Sequence, residues 1–377
     1  MMAFRRSLRR GLGWSHQWLG LTAGIAFSVL AFTGGIVTFR PQISGALSPP
    51  APDDAACTAL DWNQAERDVA SYAHAPINRV YAPVAPDTRY HFRVAGKGDS
   101  IYGHVIYDAC TGRVLGTASL GWMDWLVDFH HNFRGGKAGR TWVGWTGLVL
   151  LVSGVSGLLV WLLARPSLLR LVRIRPGAAI ARDLHSSSGV LASVLLLVAS
   201  FTGLWLCFPQ AMKTLARLPD EAKAPRAPRP PKGARKAAVA MAGLGDVMAA
   251  AQRAIPDGAI REIRLPDGYG SVQVRMWRTG DFRSLGNNVV AVDRATANVV
   301  STDLYANHPP ASRFVQAMAG LHYGEWGGAA FRWIYGIAGF ASGLLFVTGV
   351  LMWWLPRRRA AAAPARMAPE LAAVNQN

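Results

Sequence analysis

The chain has 377 residues, of which 51% are hydrophobic and only 16% charged, with 40 lysines and arginines against 22 aspartates and glutamates. This composition excludes an ordinary soluble domain, because four charge-free stretches of 20 to 23 residues each suffice to cross about 30 Å of hydrocarbon: Leu19–Phe39, Trp142–Leu163, Gly189–Phe208 and Trp333–Leu355. The formal charge of +18 does not point to a nucleic-acid partner, since much of it gathers at the ends of these stretches, beside membrane lipid.

In chain order, residues 1–16 read as a cytoplasmic N-terminus bearing Arg5, Arg6, Arg9 and Arg10, and 17–40 as the first span. Its apolar run exceeds the roughly 7–15 residues of a cleavable signal, so it is expected to remain as an anchor. Residues 41–140 form an outer segment, with a helix expected over Asp61–Ala73 and strands over Asn78–Val84, Arg89–Val94 and Ile101–Tyr107. The second span, 141–163, leads into a cytoplasmic loop, 164–186, that carries Arg165, Arg170, Arg173, Arg175 and Arg182. The third span is 187–209. Residues 210–332 then hold a basic, proline-rich linker (Lys223–Ala237) and a second outer domain, with a helix over Leu244–Ala254 and strands over Ile260–Leu265, Ser271–Trp277 and Asn288–Val292. The fourth span is 333–355, and the tail 356–377 begins near Arg357, Arg358 and Arg359.

Each outer segment closes on a similar hairpin, Tyr107–Val114 and Val292–Val299, whose Asp and Thr residues favour tight turns. The three arginine clusters must share one side, and the positive-inside rule makes it the cytoplasm, with both termini inside. The expected fold is an integral membrane α-helical protein of four transmembrane helices with two small α+β outer domains. Cys57 and Cys110 share the first outer segment and are a candidate disulfide, whereas Cys207 lies in the third span; no CxxC occurs.

The chain also carries a two-fold internal repeat. His16 lies four residues before Gly20 and seventeen before Thr33-Gly34, and His185 stands at the same offsets from Gly189 and Thr202-Gly203. His130 precedes Gly135-Gly136, Arg140, Ser156-Gly157 and Trp161 by the spacings at which His322 precedes Gly327-Gly328, Arg332, Thr348-Gly349 and Trp353. Equivalent residues pair as His16 with His185 at the cytoplasmic side and His130 with His322 at the outer side. Two imidazoles held between helices suit the axial positions of a haem iron, since the macrocycle supplies the remaining ligands. Zinc or copper would want three or four protein ligands, and a structural or proton-relay role is the other reading. His131 is a possible substitute for His130 as ligand. His74, His91, His104 and His308 fall outside the repeat and are expected at the surface.

Four short motifs in order carry a resemblance to a known family: Ser15-His16-Gln17-Trp18-Leu19-Gly20 with Thr33-Gly34, Asp128-Phe129-His130-His131-Asn132 with Gly144, Asp183-Leu184-His185 with Gly189 and Thr202-Gly203, and Leu321-His322 with Thr348-Gly349. Over residues 5 to 358 the chain resembles the PepSY-associated transmembrane proteins of bacterial inner membranes, which include ferric-siderophore reductases. The resemblance implies that the outer segments are PepSY-like periplasmic domains. It also implies two haem b and electron transfer to a ferric siderophore in the periplasm. The cytoplasmic segments are too short for a flavin or nicotinamide fold, so the donor would be external, a quinol or a flavoprotein. Two other classes stand beside this one: a siderophore or haem permease, and a membrane-anchored sensor or peptidase regulator without redox chemistry.

Overall fold

The computed structural model describes residues 2–50, 60–84, 87–95, 102–164, 167, 171, 173–218, 241–266 and 270–362. Cys57, Arg165, Arg170 and the linker Lys223–Ala237 lie outside the described residues. Two compact units result, one from the residues up to Phe32, Leu148–Leu197 and those from Ala338 onward, the other from Thr33–Gly147 and Val198–Ile337.

Four long helices take in the apolar stretches, all but the last one or two residues of the first and third: α1 (Met2–Val37), α5 (Gly136–Ala164), α6 (Ile180–Cys207) and α10 (Gly328–Ala362). Each is long and apolar enough to cross a membrane. The first starts well before the expected span and takes in the arginines ahead of it. Large apolar side chains such as Leu159, Leu191, Val194, Ile334 and Ile337 stand exposed on them, a distribution that only a lipid environment makes favourable. Within the first unit, Ser28 donates to the Ser342 carbonyl (3.1 Å) and Ser342 returns the bond to the Ser28 carbonyl (3.2 Å), so that small hydroxyl side chains tie α1 to α10.

Between these helices run the shorter elements α2 (Arg40–Leu47), α3 (Trp62–Ala73), strands β1 (Ile77–Tyr81), β2 (Arg89–Ala95), β3 (Tyr102–Asp108) and β4 (Arg113–Thr117), and α4 (Gly121–Asn132). After α6 come α7 (Pro209–Leu215), α8 (Leu244–Ala254), β5 (Ala259–Arg264), β6 (Ser271–Trp277), β7 (Asn288–Asp293), β8 (Val299–Asp303) and α9 (Pro310–His322). The strands form one antiparallel sheet in the order β4-β3-β2-β1-β5-β6-β7-β8. The two segments read separately in the sequence therefore share one sheet and one core, joined where Val80 of β1 faces Ile263 of β5. Alternation puts Val80, Phe92, Val105, Ile263, Val274 and Val290 on the face covered by α3 and α8, where they are fully or almost fully buried.

Local chemistry sets the ends of these elements. Asp61 caps α3 by accepting from the Asn63 and Gln64 amides. Asp108 and Asp293 brace their hairpins, accepting from Thr111 and Thr296 through both amide and hydroxyl. Cys110, in the first hairpin, is disulfide-bonded, and Cys207 is a free thiol.

His104 departs from expectation. It is buried rather than at the surface, with Nε2 2.6 Å from Asp124 Oδ2, while Arg40 donates to the other carboxylate oxygen at 2.9 Å. A carboxylate at a helix start finds two partners there, which anchors α4 on β3. Asp124→Ala strands a buried imidazole and a partly exposed guanidinium, so about 2–4 kcal/mol of stability should be lost. Thermal unfolding of the detergent-solubilised protein checks this, together with faster amide exchange across α4.

Candidate functional site

The four repeat histidines come together two by two. In the first unit, His16 of α1 and His185 of α6 have ring centres 6.0 Å apart. In the second, His130 of α4 and His322 of α9 have ring centres 6.1 Å apart. His131 is exposed, and its ring lies beside that of His130.

Each ring is held in the same way, by a Ser- or Thr-Gly dipeptide on a neighbouring long helix. His16 Nδ1 donates to the Ser153 carbonyl (2.9 Å), with the Ser156 hydroxyl at 3.5 Å. His185 Nδ1 lies 3.0 Å from both the Leu345 carbonyl and Thr348 Oγ1. His322 Nδ1 lies 3.1 Å from the Ala199 carbonyl and 3.0 Å from Thr202 Oγ1, and His130 Nδ1 lies 3.1 Å from Thr33 Oγ1. A carbonyl only accepts, so Nδ1 of His16, His185 and His322 carries the ring proton and Nε2 keeps its lone pair. Among the described residues, no protein donor reaches Nε2 of these three histidines.

The glycine of each dipeptide lets the ring approach. A Cβ at Gly157 would stand 2.7 Å from His16 Cε1; at Gly34, 2.8 Å from His130 Cε1; at Gly203, 3.0 Å from His322 Cε1. Gly349 is looser, at 3.5 Å from His185 Cε1. Burial and the nearby His131 push the His322 imidazole down to about 4, against the opposing bond to Ala199. It is therefore neutral under physiological conditions, the form that binds a metal.

The arrangement fits a metal shared between two imidazoles. Metal–nitrogen bonds of about 2 Å on each side, with ring centres ~1 Å behind the nitrogens, separate those centres by about 6 Å. The Nδ1–H bond to a backbone carbonyl is the usual support of a ligating histidine, fixing both tautomer and ring orientation. Two protein ligands per site suit an ion whose remaining positions come from a macrocycle.

The repeat spacing matches the two by two proximity of the histidines but does not reveal how two of them are carried. His130 and His322 sit in the last turns of α4 and α9, short helices signalled by Met123, Val127 and His130 and by Val315, Met318 and His322 at helical spacing. The Ser/Thr-Gly dipeptides served only as markers of the repeat; their role as ring-docking sites needed the fold.

The family described as the PepSY-associated TM region matches residues 14–355. No curated protein matches the chain.

Enlarging a docking glycine is expected to expel its imidazole. If each couple holds one haem, Gly157→Leu and Gly203→Leu should each lower the haem-to-protein ratio by about one, whereas Gly343→Ala, whose added methyl meets nothing within 4 Å, should keep the wild-type ratio. Parallel absorbance and protein assays decide between these outcomes.

Proposed function

The chain belongs to the PepSY-associated TM family, and from that premise we propose that it is a di-haem b electron-transfer protein of the bacterial inner membrane that reduces ferric siderophores. The observation that carries the reading is the pair of matched imidazole couples, each with ring centres about 6 Å apart and docked through Nδ1. His16 and His185 would hold one haem, and His130 and His322 the other. When bound, haem supplies reversible one-electron transfer at a potential set by its axial ligands and their hydrogen bonds.

The chain's own groups do the positioning. The Ser153, Leu345 and Ala199 carbonyls keep Nδ1 protonated, so Nε2 would be the atom that holds the iron of a bound haem. The apolar surroundings of the long helices would exclude water from the bound group. Arginines fix the orientation: Arg5, Arg9, Arg175 and Arg357 lie beside the ends of the long helices, on the side assigned to the cytoplasm by the positive-inside rule. On this reading the His16–His185 couple serves the cytoplasmic side. The sheet, with the helices that carry His130 and His322, is periplasmic and consists of two PepSY-like modules related by a two-fold repeat.

The net reaction passes one electron from a quinol or a flavoprotein to the Fe(III) of a bound chelate, which becomes Fe(II). Hard oxygen donors hold the smaller, more charged Fe(III) more tightly, so reduction loosens the chelate for iron uptake.

Purified protein is expected to show sharp α and Soret bands after dithionite and to yield two haem b per chain as pyridine haemochrome. His185→Ala and His322→Ala should each remove about one. A colourless preparation from cells well supplied with iron and porphyrin would contradict the proposal, as would full haem content in both variants.

A further inference from the structure

The sheet's two faces have opposite chemistry. One is the apolar core beneath α3 and α8. The other presents a row of polar side chains running across five strands through direct cross-strand partners: Gln273 of β6 opposite Arg264 of β5, Arg264 opposite Arg79 of β1, Arg79 opposite Arg93 of β2, and Arg93 opposite His104 of β3. Three arginines thus stand side by side on three adjacent strands. Like charges directly opposite one another destabilise a sheet, so the row works against the fold that carries it.

Counter-charge is scarce there. Glu262, in the neighbouring row, serves three guanidiniums at once: Arg79 at 2.9 Å, Arg264 at 3.1 Å and Arg275 at 3.2 Å. Among the described residues Arg93 forms no ion pair; it donates to Asn78 Oδ1 at 2.8 Å and lies 3.8 Å from the centre of the Tyr102 ring. Arg79, Arg264 and Arg275 therefore share one carboxylate, and Asp124, bound to His104 beside Arg93, is the other acidic group at this row. Burial, then the facing Arg79, lowers the Arg93 pKa; burial, then Arg283, lowers that of Arg275. Burial is the larger cause in both, and Arg79, in the middle of the row, is raised against its own burial by Tyr81 and Glu262. The face is open at its β5–β6 end, where Gln273 is exposed and the Arg264 side chain is 43% exposed; Arg79 and Arg93 are half-buried and His104 is buried.

The same face meets the helices of the outer histidine couple. Asp124 of α4 binds His104 in the polar row. At the β6–β7 end, Arg283 reaches Glu325, just beyond α9, and Phe282 packs against Gly320. An anion held on the arginine row would thus lie on the sheet from which both helices are braced.

We propose that this arginine face binds the ferric chelate, and that the chelate class it selects carries net negative charge, as a tris-catecholate does, in preference to neutral or cationic trihydroxamates. Arg79, Arg93 and Arg264 supply the attraction, guanidinium donors match catecholate oxygens, and Tyr102 offers an aromatic surface beside Arg93. The inference rests on the electron-transfer reading above and specifies its substrate.

The test uses the full chain in phosphatidylcholine nanodiscs and gallium chelates, which take the place of iron but accept no electron. Gallium tris-catecholate and a neutral gallium trihydroxamate are titrated by tryptophan fluorescence. Wild type is expected to bind the trianion at least tenfold more tightly, with affinity falling as salt rises. Arg93→Gln and Arg264→Gln should each weaken trianion binding about tenfold at unchanged haem content and unfolding temperature, while Arg93→Lys retains most of it. Equal affinity for both chelates, no binding of either, or unaltered binding by both glutamine variants would overturn the assignment. If one glutamine variant fails to fold, the other and the salt dependence decide. A haem-free protein that still binds the trianion through Arg93 would uphold this face and refute the electron-transfer reading; a haem-loaded protein indifferent to chelate charge would do the reverse.

Discussion

The hydrogen bond from an imidazole Nδ1 to a neighbouring helix is the contact on which the rest of the site depends. A histidine ring at the edge of a membrane span is free to turn toward headgroups or water, and in that state it specifies nothing. Docking its Nδ1 on the carbonyls of Ser153, Leu345 or Ala199 fixes ring, tautomer and direction together. The Ser and Thr hydroxyls have little freedom to compete, because Thr348 and Thr202 already donate to carbonyls in their own helices. The glycine after each hydroxyl then lets the ring lie against bare backbone. Three of the four histidines dock on a carbonyl and His130 sets its Nδ1 beside Thr33 Oγ1 of the corresponding dipeptide, which is why two couples of nearly the same spacing arise from unlike local surroundings.

The constraint explains the short helices as well. His130 and His322 are not on the long helices, so something must present them to α1 and α6. α4 is anchored at its start by the buried Asp124 between His104 and Arg40, and it ends at Asn132, capped by a left-handed Phe133 just past the histidines. α9 stops at His322 and is braced at Gly320 by Phe282. In the second unit the sheet is therefore more than an appendage, since residues of its strands and loops hold both helices in place.

Much of this was legible in the residues, for identifiable reasons. The strands matched closely because alternation is a local signal: Ser271–Trp277 shows period two with one face wholly buried, and Arg89–Ala95 buries Phe92 and Val94 on either side of the half-buried Arg93. The four spans were legible because hydrocarbon tolerates no alternative to long apolar helices. The histidine couples emerged because offsets of seventeen and twenty-six residues recur around them. What escaped was non-local. Nothing near Val80 or Ile263 announces that β1 pairs with β5 and merges two segments into one sheet. His104 looked like a surface residue because its partner Asp124 lies twenty positions away, across a chain reversal. The docking role of Thr33-Gly34 and its counterparts depends on which helices become neighbours, which spacing along the chain does not encode.

The most direct measurement of the central claim is low-temperature electron paramagnetic resonance of the oxidised protein. Two imidazoles on each iron impose a strong axial field, so two low-spin ferric signals are expected, one of which disappears in His185→Ala and the other in His322→Ala. A dominant high-spin signal in the intact protein would contradict paired ligation, as would two low-spin signals that survive in both variants.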